Sequence, residues 1–158
     1  MGYEVALTIS ESIISKFPTF LLKLIYPKSR LKEEIKISPR TVNPIIFNLG
    51  SYVPRVDACF TISNFTNLTM KLLDLSADIW ISQPLATVVC FDKPDILRKK
   101  ENQIYTTSFL NEIQVSRIKE MQQTGELRAT MYLKAYFESR VGLLELTPTI
   151  ENCQVIIQ

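Results

Sequence analysis

The sequence predicts a mainly β protein, an antiparallel β-sandwich of about seven strands with an N-terminal amphipathic helix and one short inserted helix. Apolar and polar residues alternate with period two through most of the chain after residue 34. Turn residues separate these segments at intervals of roughly 10 to 15 residues. Only one helical stretch interrupts them, whereas a parallel α/β sheet needs a helix between successive strands. These three observations favour packed antiparallel sheets.

The N-terminal helix is predicted within residues 9–26, where apolar side chains recur with helical spacing. Pro18 leaves two alternatives: a helix over about 10–26 that is kinked near residue 17, or a helix that starts at residue 15. Pro27 should end it, because the residue before a proline avoids the helical region. The predicted interaction face consists of Ile13, Phe17, Phe20, Leu21, Leu24 and Ile25, and the lysines that accompany it are Lys16, Lys23 and Lys28.

The remaining elements follow from the alternation in chain order. Strands are predicted at residues 34–38, 42–49, 55–64, 68–82, 86–91, 104–110 and 126–139, with two more after a turn at 140–142. The strand at 68–82 changes its buried face near residues 71–73, which is typical of a β-bulge. A short helix is predicted at 112–123, and Gly125 should prevent it from continuing.

The apolar helix face must be covered, because burying its six large side chains is worth on the order of 10 kcal/mol. It is too interrupted by charge and proline to span a membrane. We consider packing on the body, a homodimer or another protein partner, an anionic membrane surface, and a removed targeting segment. The first of three functional hypotheses is self-association or protein binding through the helix. The second is peripheral membrane or lipid binding. The third is a hydrolase or ligand-binding enzyme that uses carboxylates.

The charge distribution bears on these alternatives. The first 40 residues contain seven basic and four acidic residues, and the remaining 118 contain 11 and 12. The whole chain contains 18 basic and 16 acidic residues, and this overall near balance predicts no nucleic-acid partner. The cluster at residues 98–100 is interpreted as a solvated loop that could supplement the basic N-terminal segment at an anionic surface.

Enzymatic chemistry is restricted by composition. The 158-residue chain has no histidine, and its four glycines are far apart. It therefore cannot contain a Ser-His-Asp triad, a Cys-His pair or a histidine metal site. A glycine-rich phosphate-binding loop is excluded as well. We predict that the protein is not an enzyme, with no cofactor, no metal and no small-molecule substrate.

The cysteines indicate the redox state of the compartment in which the protein is located. Cys59, Cys90 and Cys153 are odd in number, far apart and embedded in apolar segments. This pattern predicts buried thiols in a reducing environment rather than a disulfide framework. The expected location is cytoplasmic, free or peripheral at a membrane.

Two segments resemble a known family. One is FTISNFTNLTMKLLDLSADIWI at residues 60–81, and the other is the order of helix, Gly125, long strand and turn at 140–142. Together they resemble the LEA14-type domain of late embryogenesis abundant proteins, also called the water stress and hypersensitive response domain. The resemblance implies an immunoglobulin- or fibronectin type III-like sandwich over residues 34–158 and no catalysis. It also implies a stress-related role and, in some members, membrane attachment through an N-terminal segment. Residues 1–33 are then a separate helical arm and basic connector.

Overall fold

A computed structural model describes residues 11–123, 125 and 127–158; residues 1–10 of the predicted arm lie outside the described residues. The helices are α1 (Glu11–Ile14), α2 (Thr19–Ile25), α3 (Lys28–Glu34) and α4 (Glu112–Gln122). The strands are β1 (Ile35–Pro39), β2 (Ile45–Asn48), β3 (Arg55–Asn64), β4 (Met70–Ile81), β5 (Gln83–Val89), β6 (Asp95–Ile96), β7 (Lys100–Phe109), β8 (Arg128–Ser139), β9 (Gly142–Leu146) and β10 (Thr149–Ile157).

Seven strands pair around a closed ring in the order β4, β5, β7, β3, β2, β10 and β8, and β8 returns to β4. The closing pair runs antiparallel from Lys71 opposite Glu138 to Trp80 opposite Thr130. Strands β1, β6 and β9 extend the wall by pairing with β3, β4 and β8. The result is a seven-stranded β-barrel.

The predicted immunoglobulin- or fibronectin III-like antiparallel sandwich is therefore wrong. The β4–β8 pairing closes the sheet on itself, so there are not two open sheets packed face to face. One pair is also parallel, because Val155–Ile157 of β10 runs alongside Ile45–Phe47 of β2. Alternation identifies the faces of each strand, but it does not identify the strand on either side. The barrel departs from the sandwich that the LEA14-type resemblance implies.

The single predicted N-terminal helix is divided into α1 and α2, and a further helix, α3, occupies the segment predicted as a basic connector. Pro18 precedes α2 and Pro27 precedes α3, and both prolines have extended ψ angles, 145° and 157°. A proline is tolerated at the start of a helix but not in its interior, so each one begins a new helix. The predicted end of the N-terminal helix before Pro27 is confirmed, since α2 ends at Ile25.

The barrel interior is filled by the side chains that alternation assigned to it. Along β3, Val56, Ala58, Phe60 and Ile62 are all buried. The short helices contribute to the same core through Ile14, Leu22, Tyr26 and Leu31. These helices therefore pack against the barrel through one row of side chains and present their other rows outward.

A buried asparagine organises the corner between β3 and β4. The side-chain oxygen of Asn64 accepts hydrogen bonds from the backbone N–H and the hydroxyl of Thr66, at 3.0 and 2.7 Å. Its amide nitrogen donates to the carbonyls of Leu68 and Ile96, at 2.8 and 3.3 Å. One side chain thus holds the corner and fixes it to β6.

The three cysteines are free thiols. Cys59 and Cys153 are buried as predicted, while Cys90 is only half-buried. Burial raises the pKa of all three thiols above the usual value, because the thiolate is poorly solvated in these positions. They are therefore protonated and weakly nucleophilic at neutral pH.

Candidate interaction surface at one end of the barrel

The strand registers bring several connections to the same end of the barrel. Asn64 at the end of β3 lies opposite Lys100 at the start of β7, and Met70 at the start of β4 lies opposite Ile96 of β6. Helices α1, α2 and α3 lie at this end. We call it the arm end, comprising residues 11–34, the corner 65–69, the loop 97–99 and the turn 140–141.

Three hydrogen bonds place the helices against the corner. The backbone N–H of Asn67 donates to the Tyr26 hydroxyl at 3.4 Å, and its side-chain amide donates to the same oxygen at 3.3 Å. The backbone N–H of Phe65 donates to the carbonyl of Glu34, the last residue of α3, at 2.9 Å. The helices are thus fixed to the barrel on the side that faces the corner.

Arg140, in the turn between β8 and β9, fixes the first helix. Its guanidinium donates to the carbonyls of Ile14, Ser15 and Phe17, at 3.2, 3.2 and 2.9 Å. These carbonyls lie at and just after the end of α1, and a charged donor makes stronger hydrogen bonds to them than a neutral donor would. One turn residue therefore joins the segment between α1 and α2 to the barrel.

Replacing this arginine should loosen the helices without unfolding the barrel. Arg140→Gln is expected to lower the free energy of unfolding by about 1 to 2 kcal/mol, because hydrogen bonds from a charged donor are lost at a partly exposed site. Amide hydrogen exchange in α1 and α2 should accelerate more than in α4. Arg117→Gln, an exposed arginine on α4, is the matched control and should change neither quantity. Equal exchange in α1 and α2 for both variants would contradict the anchoring role of Arg140.

The predicted apolar face is divided by the structure. Phe20 and Leu24, one turn apart, are 64% and 75% exposed. Leu22 and Tyr26, also one turn apart, occupy the buried side of the same segment. Ile13 is exposed, Phe17, Leu21 and Ile25 are half-buried, and Lys16, Lys23 and Lys28 are exposed. The outermost row of α2 is therefore apolar, with Phe20 and Leu24 at its centre.

The charged residues nearest to this row in the sequence are all basic. Residues 15–32 contain five basic residues and no acidic residue. Arg30 pairs with Glu34 and lies over the Tyr26 ring at 4.9 Å, so its charge is partly engaged. Among the described residues, Lys16, Lys23 and Lys28 form no ion pair. The exposed apolar row is thus flanked by lysines that no carboxylate neutralises in the described part of the chain.

Three other large apolar side chains are exposed at or next to the arm end. These are Phe65 in the corner, Leu97 in the loop before β7, and Leu143 beside the turn before β9. The Lys99 ammonium donates to the carbonyl of Phe65, which fixes the loop to the corner. These exposed apolar residues were not predicted from the sequence. For Leu97 the available signal was the sequence LRKK at 97–100, where an apolar residue directly precedes three basic ones.

The opposite end of the barrel differs in charge. The loop at residues 49–54 precedes β3 and contains the exposed residues Tyr52 and Val53 but no charged residue. We call this loop the far loop. Since β3 runs from Arg55 to Asn64, the far loop and the arm end lie about 30 Å apart. None of the described helices is long and apolar enough to cross a bilayer.

Comparison with known proteins shows similarity of fold alone. No protein-family model and no curated protein matches the chain. It is similar to the X-ray structure of Northeast Structural Genomics Consortium target SoR45, with a TM-score of 0.51 and 14% identity, over 78% of this chain and 89% of the other.

Two further solved structures share less of the fold, with TM-scores below 0.5. A protein from Archaeoglobus fulgidus has a TM-score of 0.41 and 9% identity, over 75% of this chain and 95% of the other. The Pseudomonas fluorescens alkylpurine DNA glycosylase AlkC, bound to DNA containing an abasic site analog, has a TM-score of 0.36 and 14% identity. That match covers 92% of this chain and 42% of the glycosylase.

Proposed function

We propose that this protein is a non-enzymatic peripheral membrane protein that binds anionic lipid surfaces through its arm end. The observation that carries the proposal is the exposed pair Phe20 and Leu24 on α2, within a segment that holds five basic residues and no acidic one. A helix with an apolar outer row flanked by lysines is typical of segments that lie in the interface of a bilayer.

The expected affinity follows from these residues. Moving the exposed parts of Phe20 and Leu24 out of water contributes roughly 2 to 4 kcal/mol. Each lysine near an anionic surface contributes about 1 kcal/mol, so Lys16, Lys23 and Lys28 contribute roughly 3 kcal/mol. The sum is about 6 kcal/mol, which corresponds to a dissociation constant on the order of 10 to 100 µM. The attachment is therefore reversible.

The same charges disfavour a second copy of the chain as the occupant. In a two-fold dimer each patch meets its own copy, so the lysines of one protomer would approach those of the other. Like charges that meet across an interface weaken it. Self-association through the helix, the first hypothesis from sequence, accordingly ranks behind an anionic partner. The three free thiols support a reducing, cytoplasmic setting.

Vesicle co-sedimentation tests the proposal. The protein is incubated with phosphatidylcholine vesicles and with vesicles that contain about 30% phosphatidylserine, at low and high salt. We expect binding to the anionic vesicles only, and a decrease in binding as the ionic strength rises, because salt screens the lysines. Size-exclusion chromatography of the same sample reports the oligomeric state. A stable dimer that binds neither vesicle would contradict the proposal and favour self-association.

A further inference from the structure

Strand β3 changes its partner along one edge. Its first half, Arg55–Ala58, pairs with β2, and its second half, Phe60–Asn64, pairs with β1. Residues 40–44, between these two partners, leave the edge of the sheet as an arch. The backbone N–H of Arg40 donates to the carbonyl of Cys59 at 2.9 Å, and the N–H of Cys59 donates to the carbonyl of Pro44 at 3.0 Å. Both ends of the arch are thus fixed to the same residue.

The arch is held from within by Arg40. Its guanidinium donates to the carbonyls of Val42 and Asn43, at 2.7 and 3.2 Å. Asn43 has a φ of 51°, a left-handed conformation that asparagine tolerates better than most residues. A guanidinium has five N–H groups, and these two hydrogen bonds are the ones it makes among the described residues. Arg40 is therefore positioned by the backbone and still has donors available.

A half-open cavity of about 460 Å³ lies between the arch and β7, on the outer wall of the barrel. Buried residues Ala58, Cys59 and Thr106 are part of its lining. Its volume is within the range of small-molecule sites. It lies beside the middle of β3, roughly 16 Å from the arm end, so it is separate from the proposed membrane surface.

The lining of the cavity combines positive charge with apolar surface. Arg55 donates to the carboxylate of Asp57 at 3.1 Å, so these two charges offset each other. The remaining charged group is Arg40. Ile46 and the exposed ring of Tyr105 supply apolar surface on β2 and β7.

We propose that this cavity binds a small organic anion with a planar apolar body. The anionic group would be bound by Arg40, because a guanidinium offers parallel donors to a planar carboxylate. The apolar body would contact Ile46 and the ring of Tyr105. This site goes beyond the proposed membrane function, and it departs from the expectation from sequence that no small molecule binds.

Matched aromatic probes test the charge requirement. Benzoate and the neutral benzamide have nearly the same shape, so their difference isolates the anionic group. In ¹⁵N-labelled protein, benzoate is expected to shift the backbone amide resonances of Asn43, Cys59 and Thr106, with at least tenfold higher affinity than benzamide. Equal affinities for the two probes, shifts confined to other regions, or no shift with either probe would overturn the proposal.

Two variants then assign the site. Arg40→Gln should reduce benzoate affinity at least tenfold, but it also loosens the arch. Tyr105→Ala removes the exposed ring without altering the hydrogen bonds of the arch, and it should reduce affinity severalfold. Arg117→Gln, an exposed arginine on α4, should bind benzoate as the wild type does. Unchanged affinity in Tyr105→Ala would contradict the site even where Arg40→Gln fails to fold.

Discussion

The double variant Phe20→Asp and Leu24→Asp is expected to lose binding to anionic vesicles, with a drop in affinity of about 1,000-fold or more. Both side chains are largely exposed in the free protein, so the loss of their apolar contribution removes roughly 2 to 4 kcal/mol from lipid binding alone. Two carboxylates near an anionic surface add about 1 kcal/mol of repulsion each. Co-sedimentation with phosphatidylserine-containing vesicles measures the effect.

The matched control is at the other end of the barrel. Tyr52→Asp combined with Val53→Asp makes the same change in charge on two exposed apolar residues of the far loop. This variant should bind vesicles nearly as the wild type does, because the far loop lies about 30 Å from the arm end. Both variants should remain folded, since substitutions at exposed positions usually alter stability by about 0.5 kcal/mol or less. Equal losses of binding in the two variants would show that the arm end is not the contact surface.

The largest expected effect on stability is that of Asn64→Ala. The asparagine is fully buried, and its side chain makes four hydrogen bonds at the corner between β3 and β4. Its removal leaves the hydroxyl of Thr66 and the carbonyls of Leu68 and Ile96 with fewer partners in a dry environment. We expect the free energy of unfolding to fall by about 3 to 4 kcal/mol, as measured by urea denaturation.

Asn67→Ala provides the comparison for this prediction. Asn67 belongs to the same corner but is half-buried, and its side chain makes a long hydrogen bond to the Tyr26 hydroxyl. Loss of this hydrogen bond should lower the free energy of unfolding by about 1 kcal/mol. If Asn64→Ala destabilised the protein no more than Asn67→Ala does, the buried network would not be what holds the corner.

The positions of most strands were predictable because alternation is a local property, although β6 and the first four residues of β7 lie where no strand was predicted. The buried faces of β3 and β4 follow the pattern of their residues, including Val56, Phe60, Leu75 and Ile79. The bulge expected at residues 71–73 is confirmed, because the register between β4 and β8 shifts between Leu72 and Asp74. Each of these features depends on residues that are adjacent in the chain.

The closure of the barrel could not be predicted in the same way. It depends on β4 pairing with β8, whose residues lie far apart in sequence and carry no local signal for each other. The parallel pairing of β2 with β10 is equally remote in the chain. Alternating strands of this kind are compatible with both a sandwich and a barrel, and only the long-range register distinguishes the two.

The candidate surface was predictable in composition but not in orientation. The sequence indicates an apolar helix with lysines, and it does not determine which row of α2 faces the barrel. Leu22 and Tyr26 form the buried row because the Tyr26 hydroxyl contacts Asn67 in the corner that Asn64 holds. This tertiary contact leaves Phe20 and Leu24 on the outside.

The depth of a tryptophan at the arm end is the most direct test of membrane binding by this surface. The native Trp80 lies near the end of β4 away from the arm end and is replaced in a Trp80→Phe background. With anionic vesicles, Phe20→Trp in that background should shift its fluorescence to shorter wavelength and be quenched by brominated lipid. Tyr52→Trp in the same background should do neither. Quenching of the tryptophan in the far loop would contradict attachment through the arm end. Protein that binds the vesicles without quenching at either position would contradict it as well.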